Sequence, residues 1–424
     1  MSAAAPAAAT VPSRRRHPHR HRRWRGSTRC PASASPSTPA RSEPDDPSTT
    51  APVNEREIKL VEFYAGMGTM RWSLERALES DTGAVVTALA SIDNSEVANA
   101  VYLANYPHED ASGVLMRRNV EHLSSVPSLD AKFGGADVWT LSPPCQPYTR
   151  KGKQLHGDDP RAQSFRGILE SLPQLARPPE RILVENVVGF EGSETRNALV
   201  AALDEAGYVW REYHASPVDI GVPCTRDRYY LLAKRKPLSF EDDAPRLQNF
   251  ALVGASDECA DDVDGGCKTE TRSTRLTSAR MRRIVEYLER PVDDWALSVE
   301  ADTIERYWRW LDVVSPSSTR CSTFTSGYGK TVYGGSVLAS DAFVKAHCEV
   351  DDTSGRYRLV GPCKEEWCGE MRYFSPREVA NFHGLDRGWR LPASTLTRRQ
   401  LWFTVGNSIS VDVVAALMRE LMRD

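Results

Sequence analysis

The sequence predicts an α/β protein with an open sheet, and three observations carry that prediction. Apolar runs of strand length alternate with helix-like stretches from residue 58 to about residue 235. The first run ends in a glycine-bearing turn, Tyr64-Ala65-Gly66-Met67-Gly68-Thr69, ahead of a helical stretch. The side chains able to do chemistry fall where apolar runs stop, and in open sheets ligands bind at the carboxyl ends of the strands. With 424 residues and 40% hydrophobic content, the chain can bury a sizeable core and is long enough for two or more domains.

Residues 58–63 read as the first strand and residues 70–78 as the first helix. Glycine lets the backbone approach a ligand and a helix amino terminus offers free N–H groups, so this corner suits a nucleotide or cofactor. Residues 85–92 read as the second strand. It ends at Asp93, where such folds place an acid on a ribose hydroxyl pair. Asp93 also suits a helix N-cap, because Asn94 onward reads as helical. After a helix over 96–105, a short strand is expected near Arg118-Asn119-Val120.

Residues 136–141 form the next buried strand, and Pro143-Pro144 stop it and stiffen the turn that carries Cys145. Local structure does not require a thiol there, although a small buried hydrophobe would also fit. Beyond a polar loop over 150–161 and an amphipathic stretch over 165–175, residues 181–190 place Glu185 and Asn186 at the end of an otherwise buried strand. Acids are almost never fully buried unless paired, so Glu185 either faces a ligand or holds a salt bridge. A helix over 193–207 and a strand over 209–215 lead to Arg226-Asp227-Arg228, where alternation sets both arginines on one face of a strand entrance. Paired guanidiniums suit phosphate or carbonyl recognition, or remain solvated.

Residues 238–275 turn acidic and rich in Gly, Asp and Ser, and read as a mobile linker. Helices are expected over 277–288, 301–311, 375–383 and 411–422, with β-ribbon and loops over 320–338. The Ser375-Pro376 start is a favourable helix entry.

The net charge of −3 conceals an asymmetry: residues 1–42 hold nine arginines and no acid, which leaves the remainder at −12. The tail reads as disordered. Its basic run suits RNA or phosphate contact, nuclear import or an organelle transit peptide, and is equally a solvated tail without a role. Nine cysteines without paired spacing point to reduced thiols in the cytoplasm or nucleus rather than to a disulfide framework. His347, Cys348, Cys363 and Cys368 match no standard zinc spacing, so no metal is expected. No run approaches the ~20 apolar residues of a membrane span, so no membrane partner is expected either.

A thiol, a carboxyl group, two arginines and a glycine corner at strand ends are the parts needed to methylate C5 of cytosine. That carbon is too weak a nucleophile to attack a methyl sulfonium directly. A thiolate adding at C6 makes C5 enamine-like while a carboxyl group holds N3 and the exocyclic amine. A free thiol of pKa ~8.5 is largely protonated at neutral pH, so the site must help deprotonate it.

Ser142-Pro143-Pro144-Cys145-Gln146-Pro147 resembles the catalytic motif of the cytosine-5 methyltransferases. Tyr64-x-Gly66-x-Gly68 resembles their S-adenosylmethionine motif, and Glu185-Asn186-Val187 their carboxylate motif. Arg226-x-Arg228 resembles their paired-arginine motif, and Gly406-Asn407-Ser408 their closing motif. Pro147-Tyr148-Thr149-Arg150 and Phe324-Thr325-x-Gly327-Tyr328-Gly329 look like the branch that methylates tRNA-Asp at cytosine 38.

The resemblance covers about 58–240 and 275–424. It implies a methyltransferase-type, Rossmann-like large domain over 56–240 with a small target-recognition domain over 276–370. The tail (1–55) and the acidic linker (241–275) lie outside it, and 371–424 would return to the large domain. It makes Cys145 the nucleophile and Glu185 the group at N3 and N4, with Arg226 and Arg228 positioning the base. Tyr64, Gly66, Met67, Gly68, Thr69, Asp93, Val120, Glu121, Ser142, Asn407 and Ser408 would surround S-adenosylmethionine. Tyr148, Arg150, Lys151, Lys153 and Asn186 would meet the substrate. In two places the chain departs from the family pattern: Thr69 stands at the third glycine, and Thr323 begins the branch's Cys-Phe-Thr tripeptide, with Cys321 two places earlier. The expectation is a monomeric enzyme acting on tRNA. Its rivals are a DNA cytosine-5 methyltransferase and a catalytically silent nucleic-acid binder that uses the tail.

Overall fold

A computed structural model describes residues 56–81, 83–144, 160–241, 247–249, 281–289, 297–351, 355–361 and 364–423. The chain runs β1 (Arg56–Phe63), α1 (Thr69–Leu78), β2 (Ala84–Ile92), α2 (Glu96–Asn105), β3 (Leu115–Met116), α3 (Val126–Phe133), β4 (Val138–Leu141) and α4 (Pro160–Ser171). It continues through β5 (Arg181–Val187), α5 (Glu194–Glu205), β6 (Tyr208–Ala215), β7 (Arg228–Arg235) and β8 (Leu247–Asn249). These strands make one eight-stranded sheet in the order β3-β2-β1-β4-β5-β7-β6-β8. Pairing is parallel from β3 to β5, while β7 runs antiparallel to both β5 and β6.

The central strands are apolar because both faces of the sheet are covered. All four residues of β4 are buried. Along β1, Val61 and Phe63 face a core built with Phe133, Trp139, Phe165 and Leu199, whereas Ile58 and Leu60 face one built with Leu74, Tyr230, Val414 and Leu417. This division is the period-two alternation of a strand set between two layers.

The second half adds α6 (Ala301–Tyr307), β9 (Val313–Val314), β10 (Val337–Ala339), α7 (Asp341–His347), β11 (Cys348–Asp351), β12 (Arg356–Leu359) and β13 (Met371–Arg372). Strands β13, β10 and β9 form a three-stranded sheet, and β11 and β12 form an antiparallel ribbon. Three helices close the chain: α8 (Pro376–Phe382), α9 (Arg398–Gly406) and α10 (Val411–Met422). A reciprocal capping box starts α8: Ser375 Oγ accepts the Glu378 N–H at 3.1 Å, and Glu378 Oε2 accepts the Ser375 N–H at 2.8 Å. Helix α10 returns to the large sheet, burying Val413, Val414, Leu417 and Leu421 in the core that also holds Leu74 of α1. By length and apolarity Arg398–Met422 would pass for a membrane span, but 78% of its most apolar window is buried in the protein.

Four expectations of local structure change. The strand expected near residues 118–120 lies at β3, and Val120–Leu123 is a 3₁₀ turn; residues 117–119 are charged or polar and exposed. Within the supposed linker, β8 pairs in parallel with β6 and extends the sheet. Of the helix expected over 277–288, the described part is coil followed by a 3₁₀ turn, Ile284–Tyr287. Its buried anchors, Ile284 and Tyr287, are three residues apart, the period of a 3₁₀ turn. Over 320–338 the chain makes turns that lead into β10, not a ribbon. The tail and most of the linker lie outside the described residues.

Candidate active site

A cavity of about 550 Å³ opens at the carboxyl ends of β1, β2, β4 and β5. Because β7 is antiparallel, with Val187 opposite Arg228, the amino end of β7 reaches the same edge. Arg226 and Arg228 therefore arrive there from the start of a strand, not from a carboxyl end.

On one side lies the glycine corner. Tyr64 and Gly66 both take left-handed conformations, with φ 59 and 57. For Tyr64 that backbone is strained. Its hydroxyl is held 2.7 Å from Ser164 Oγ. The Gly66 N–H donates to Asp93 Oδ2 at 2.8 Å, and the Ser95 N–H donates to Asp93 Oδ1 at 2.7 Å. Asp93 thus pins the glycine turn to the tip of β2, and each oxygen keeps a further lone pair toward the cavity. Burial raises its pKa, and the two N–H bonds work against that rise. It does not cap the helix: α2 begins at Glu96, and Ser95 Oγ accepts the Ala98 N–H at 3.3 Å.

Gly66, Met67, Thr69, Val120, Glu121, Ser142, Asn407 and Ser408 also line the cavity, whereas Gly68 does not. Gly68 sits at the amino cap of α1 with φ 87, where a Cβ would come within 2.9 Å of the Tyr102 ring. Its role is close packing. Thr69, at the departure from the family's glycine, accepts a hydrogen bond from Ser408 Oγ at 3.1 Å and so ties the corner to the chain's end. Among the described residues, the buried Ser142 Oγ has no hydrogen-bond partner. A buried hydroxyl left unmatched in a cavity wall fits a polar ligand.

On the other side, Glu185 Oε1 lies 3.2 Å from Arg228 Nε, with side chains 12% and 19% exposed. The carboxyl group therefore faces the cavity and is paired at once. Asn186 donates from Nδ2 to the Pro143 carbonyl at 3.3 Å and so holds the Pro-Pro turn against β5. Arg226 is buried, donating from Nη1 to the Phe324 carbonyl at 3.1 Å and from Nη2 to the Ser408 carbonyl. Its guanidinium braces three segments, whereas Arg228 faces Glu185. The two arginines have different tasks despite their spacing. Cys145, Tyr148, Arg150, Lys151 and Lys153 lie outside the described residues; Pro143 and Pro144, immediately before them, line the cavity.

Sequence reasoning passed over Ser164, Phe403 and His383. Phe403, 47% exposed, lines the cavity from α9. His383 is buried with Nδ1 2.8 Å from the Val379 carbonyl, and burial together with the nearby Arg226 and Arg228 lowers its pKa to about 3. No local signal in the sequence marks any of these three positions.

One cavity thus combines a backbone corner able to take a nucleotide-like ligand with a carboxyl–guanidinium pair able to hold a polar ring edge. Residues 58–423 match the family described as C-5 cytosine-specific DNA methylase. A tRNA (cytosine(38)-C(5))-methyltransferase of Bos taurus is 31% identical, the match covering 86% of this chain and 99% of that protein. A DNA (cytosine-5)-methyltransferase of Dictyostelium discoideum is 27% identical over 86% of this chain and 94% of its own length. Among solved structures, the S. pombe Dnmt2 methyltransferase matches with a TM-score of 0.66 and 28% identity, covering 87% of this chain and 98% of that one.

Proposed function

The chain belongs to the family of C-5 cytosine-specific DNA methylases, and from that premise we propose that it methylates C5 of a cytosine in tRNA. The observation that carries the reading is the single cavity that holds both the glycine corner and the Glu185–Arg228 pair. The corner fits S-adenosylmethionine: Asp93 for the ribose hydroxyls, the turn over 64–69 for the methionine end, and the unmatched Ser142 hydroxyl as a further polar contact. When bound there, S-adenosylmethionine supplies an electrophilic methyl group.

The remaining work falls to the chain. Cys145 follows the Pro-Pro turn that Asn186 anchors, and its thiolate adds to C6 of the base. Glu185, oriented by Arg228, accepts from the exocyclic amine and supports the protonated N3. Once C5 carries its methyl group, a base takes the C5 proton, the C–H electron pair restores the C5–C6 double bond, and the S–C6 pair returns to Cys145 as thiolate. Arg226 acts by holding the walls together. The target base must be turned out of its loop to reach this cavity.

The tRNA substrate is supported by the names of the bovine and related proteins and by the 324–329 segment. Tyr148, Arg150, Lys151 and Lys153 are the proposed anticodon-loop contacts, with cytosine 38 of tRNA-Asp as the target. Residues 276–370 are the proposed recognition region. The four described cysteines are unpaired, and together with the unpaired spacing of the nine in sequence this favours a reducing compartment, cytoplasm or nucleus.

Transfer of labelled methyl from S-adenosylmethionine, with tRNA and duplex DNA offered in parallel, tests the reading. Label on tRNA that disappears with Cys145→Ala is the expected result, and deleting residues 1–52 should leave turnover unchanged. Label on DNA alone would assign the chain to the DNA methyltransferases. No label on either would leave a binding protein.

A further inference from the structure

A second cavity, of about 980 Å³, is lined by neighbouring residues of two segments that also wall the first. Thr325 and Ser326 of the turn before β10, and Phe403 and Thr404 of α9, line the reaction cavity. Lys330 and Tyr333 of that turn, with Arg398 and Trp402 of α9, line the second, joined by Tyr307 and Tyr373. Outside the rim, Trp310 packs edge-on to Tyr333 with ring centroids 6.1 Å apart, and the two residues are 55% and 59% exposed. Two adjoining large rings so exposed mark an interaction surface.

The wall is rigid. Gly329 takes φ 70, and a Cβ there would stand 2.3 Å from the Trp402 ring, so the turn is pressed against α9. Gly334 is as tightly placed, since its Cβ would lie 2.7 Å from the Tyr328 backbone. The Tyr328 hydroxyl donates to the Ser336 carbonyl and accepts the Phe374 N–H, both at 2.8 Å. The turn that carries Tyr333 is thus fixed by close packing and buried hydrogen bonds.

Lys330 makes no ion pair with a described residue, and the Arg309 guanidinium lies 4.9 Å from the Trp308 ring centroid. Glu300, Asp302 and Glu305 stand on and beside α6, so positive charge is not in large excess. Ring faces with interspersed cations suit bases more than a phosphate track alone. We propose that the mouth of this second cavity receives an unpaired nucleotide of the same tRNA loop, stacked at Tyr333 on the rim and Trp310 beside it, while the target cytosine occupies the first cavity. The inference rests on the tRNA reading above.

Steady-state methylation of tRNA by the full chain tests it. Tyr333→Ala and Trp310→Ala should each raise KM for tRNA by about fivefold or more, with kcat and the KM for S-adenosylmethionine unchanged. Tyr333→Phe, which keeps the ring, should retain the wild-type KM. Ultraviolet crosslinking of bound tRNA to the wild-type protein should leave a nucleotide on Trp310 or Tyr333, which decides the matter should an alanine variant unfold. An unchanged KM in both alanine variants, or crosslinks only elsewhere, overturns the inference. A wild-type enzyme that methylates no tRNA overturns the underlying reading instead.

Discussion

Glu185→Gln would leave the Arg228 guanidinium, 3.2 Å away, facing a neutral amide. The amide no longer supports a proton at N3, so kcat should fall by about 10²–10⁴ while the melting temperature barely moves. Turnover and thermal unfolding measured on one preparation check both halves. Ser142→Ala removes only a cavity-wall hydroxyl that the proposed cofactor would meet, and should raise the KM for S-adenosylmethionine by about two- to tenfold with kcat retained. Glu185 was legible because it ends an apolar strand, where an acid must either pair or face a ligand, whereas Ser142 was named only through the family resemblance. Arg226 was legible as a residue but not as a brace, since its acceptors lie 98 and 182 residues along the chain. The same distance hid His383, whose environment is set by arginines from another segment.

The central strands were readable because helices cover both sides of the sheet, and continuous burial writes itself as continuous apolar sequence. Strands β9 and β13, two residues each, are too short to show a period, and β8 sits in an acidic stretch whose composition argues against a strand. Helix α10 should be among the most sensitive elements: Leu417 is fully buried between helix and sheet, and Leu417→Ala should cost about 2–5 kcal/mol in denaturant unfolding. Gly329→Ala tests the turn that lines both cavities. Its Cβ would collide with the Trp402 ring in a left-handed backbone, so a loss of about 1–3 kcal/mol is expected where an exposed surface change would be neutral.

Two buried groups of opposite type shape the stability of the whole molecule. Glu62, bonded to the Arg71 N–H at 3.0 Å and to Ser91 Oγ at 2.7 Å, is raised by burial from 4.5 to about 7. The folded state therefore holds a proton that the unfolded chain releases, and stability from Glu62 is lost as pH rises from 4.5 to about 7. His383 is lowered from 6.5 to about 3, so its contribution is lost as pH falls through that window. Relative to wild type, Glu62→Gln should gain stability with rising pH and His383→Gln should lose it, each by on the order of 1 kcal/mol per unit between pH 5 and 6.5. Urea midpoints at the two pH values read the opposite slopes directly. The brace at Arg226 has a consequence for how the protein comes into being. Its two acceptors are carbonyls of Phe324 and Ser408, so the reaction cavity has no complete wall until nearly the last helix has left the ribosome. Loop closures of that span are slow to find. Methyl transfer should thus appear in a refolding time course only after most backbone structure has formed, and a nascent chain stalled before residue 400 should be inert.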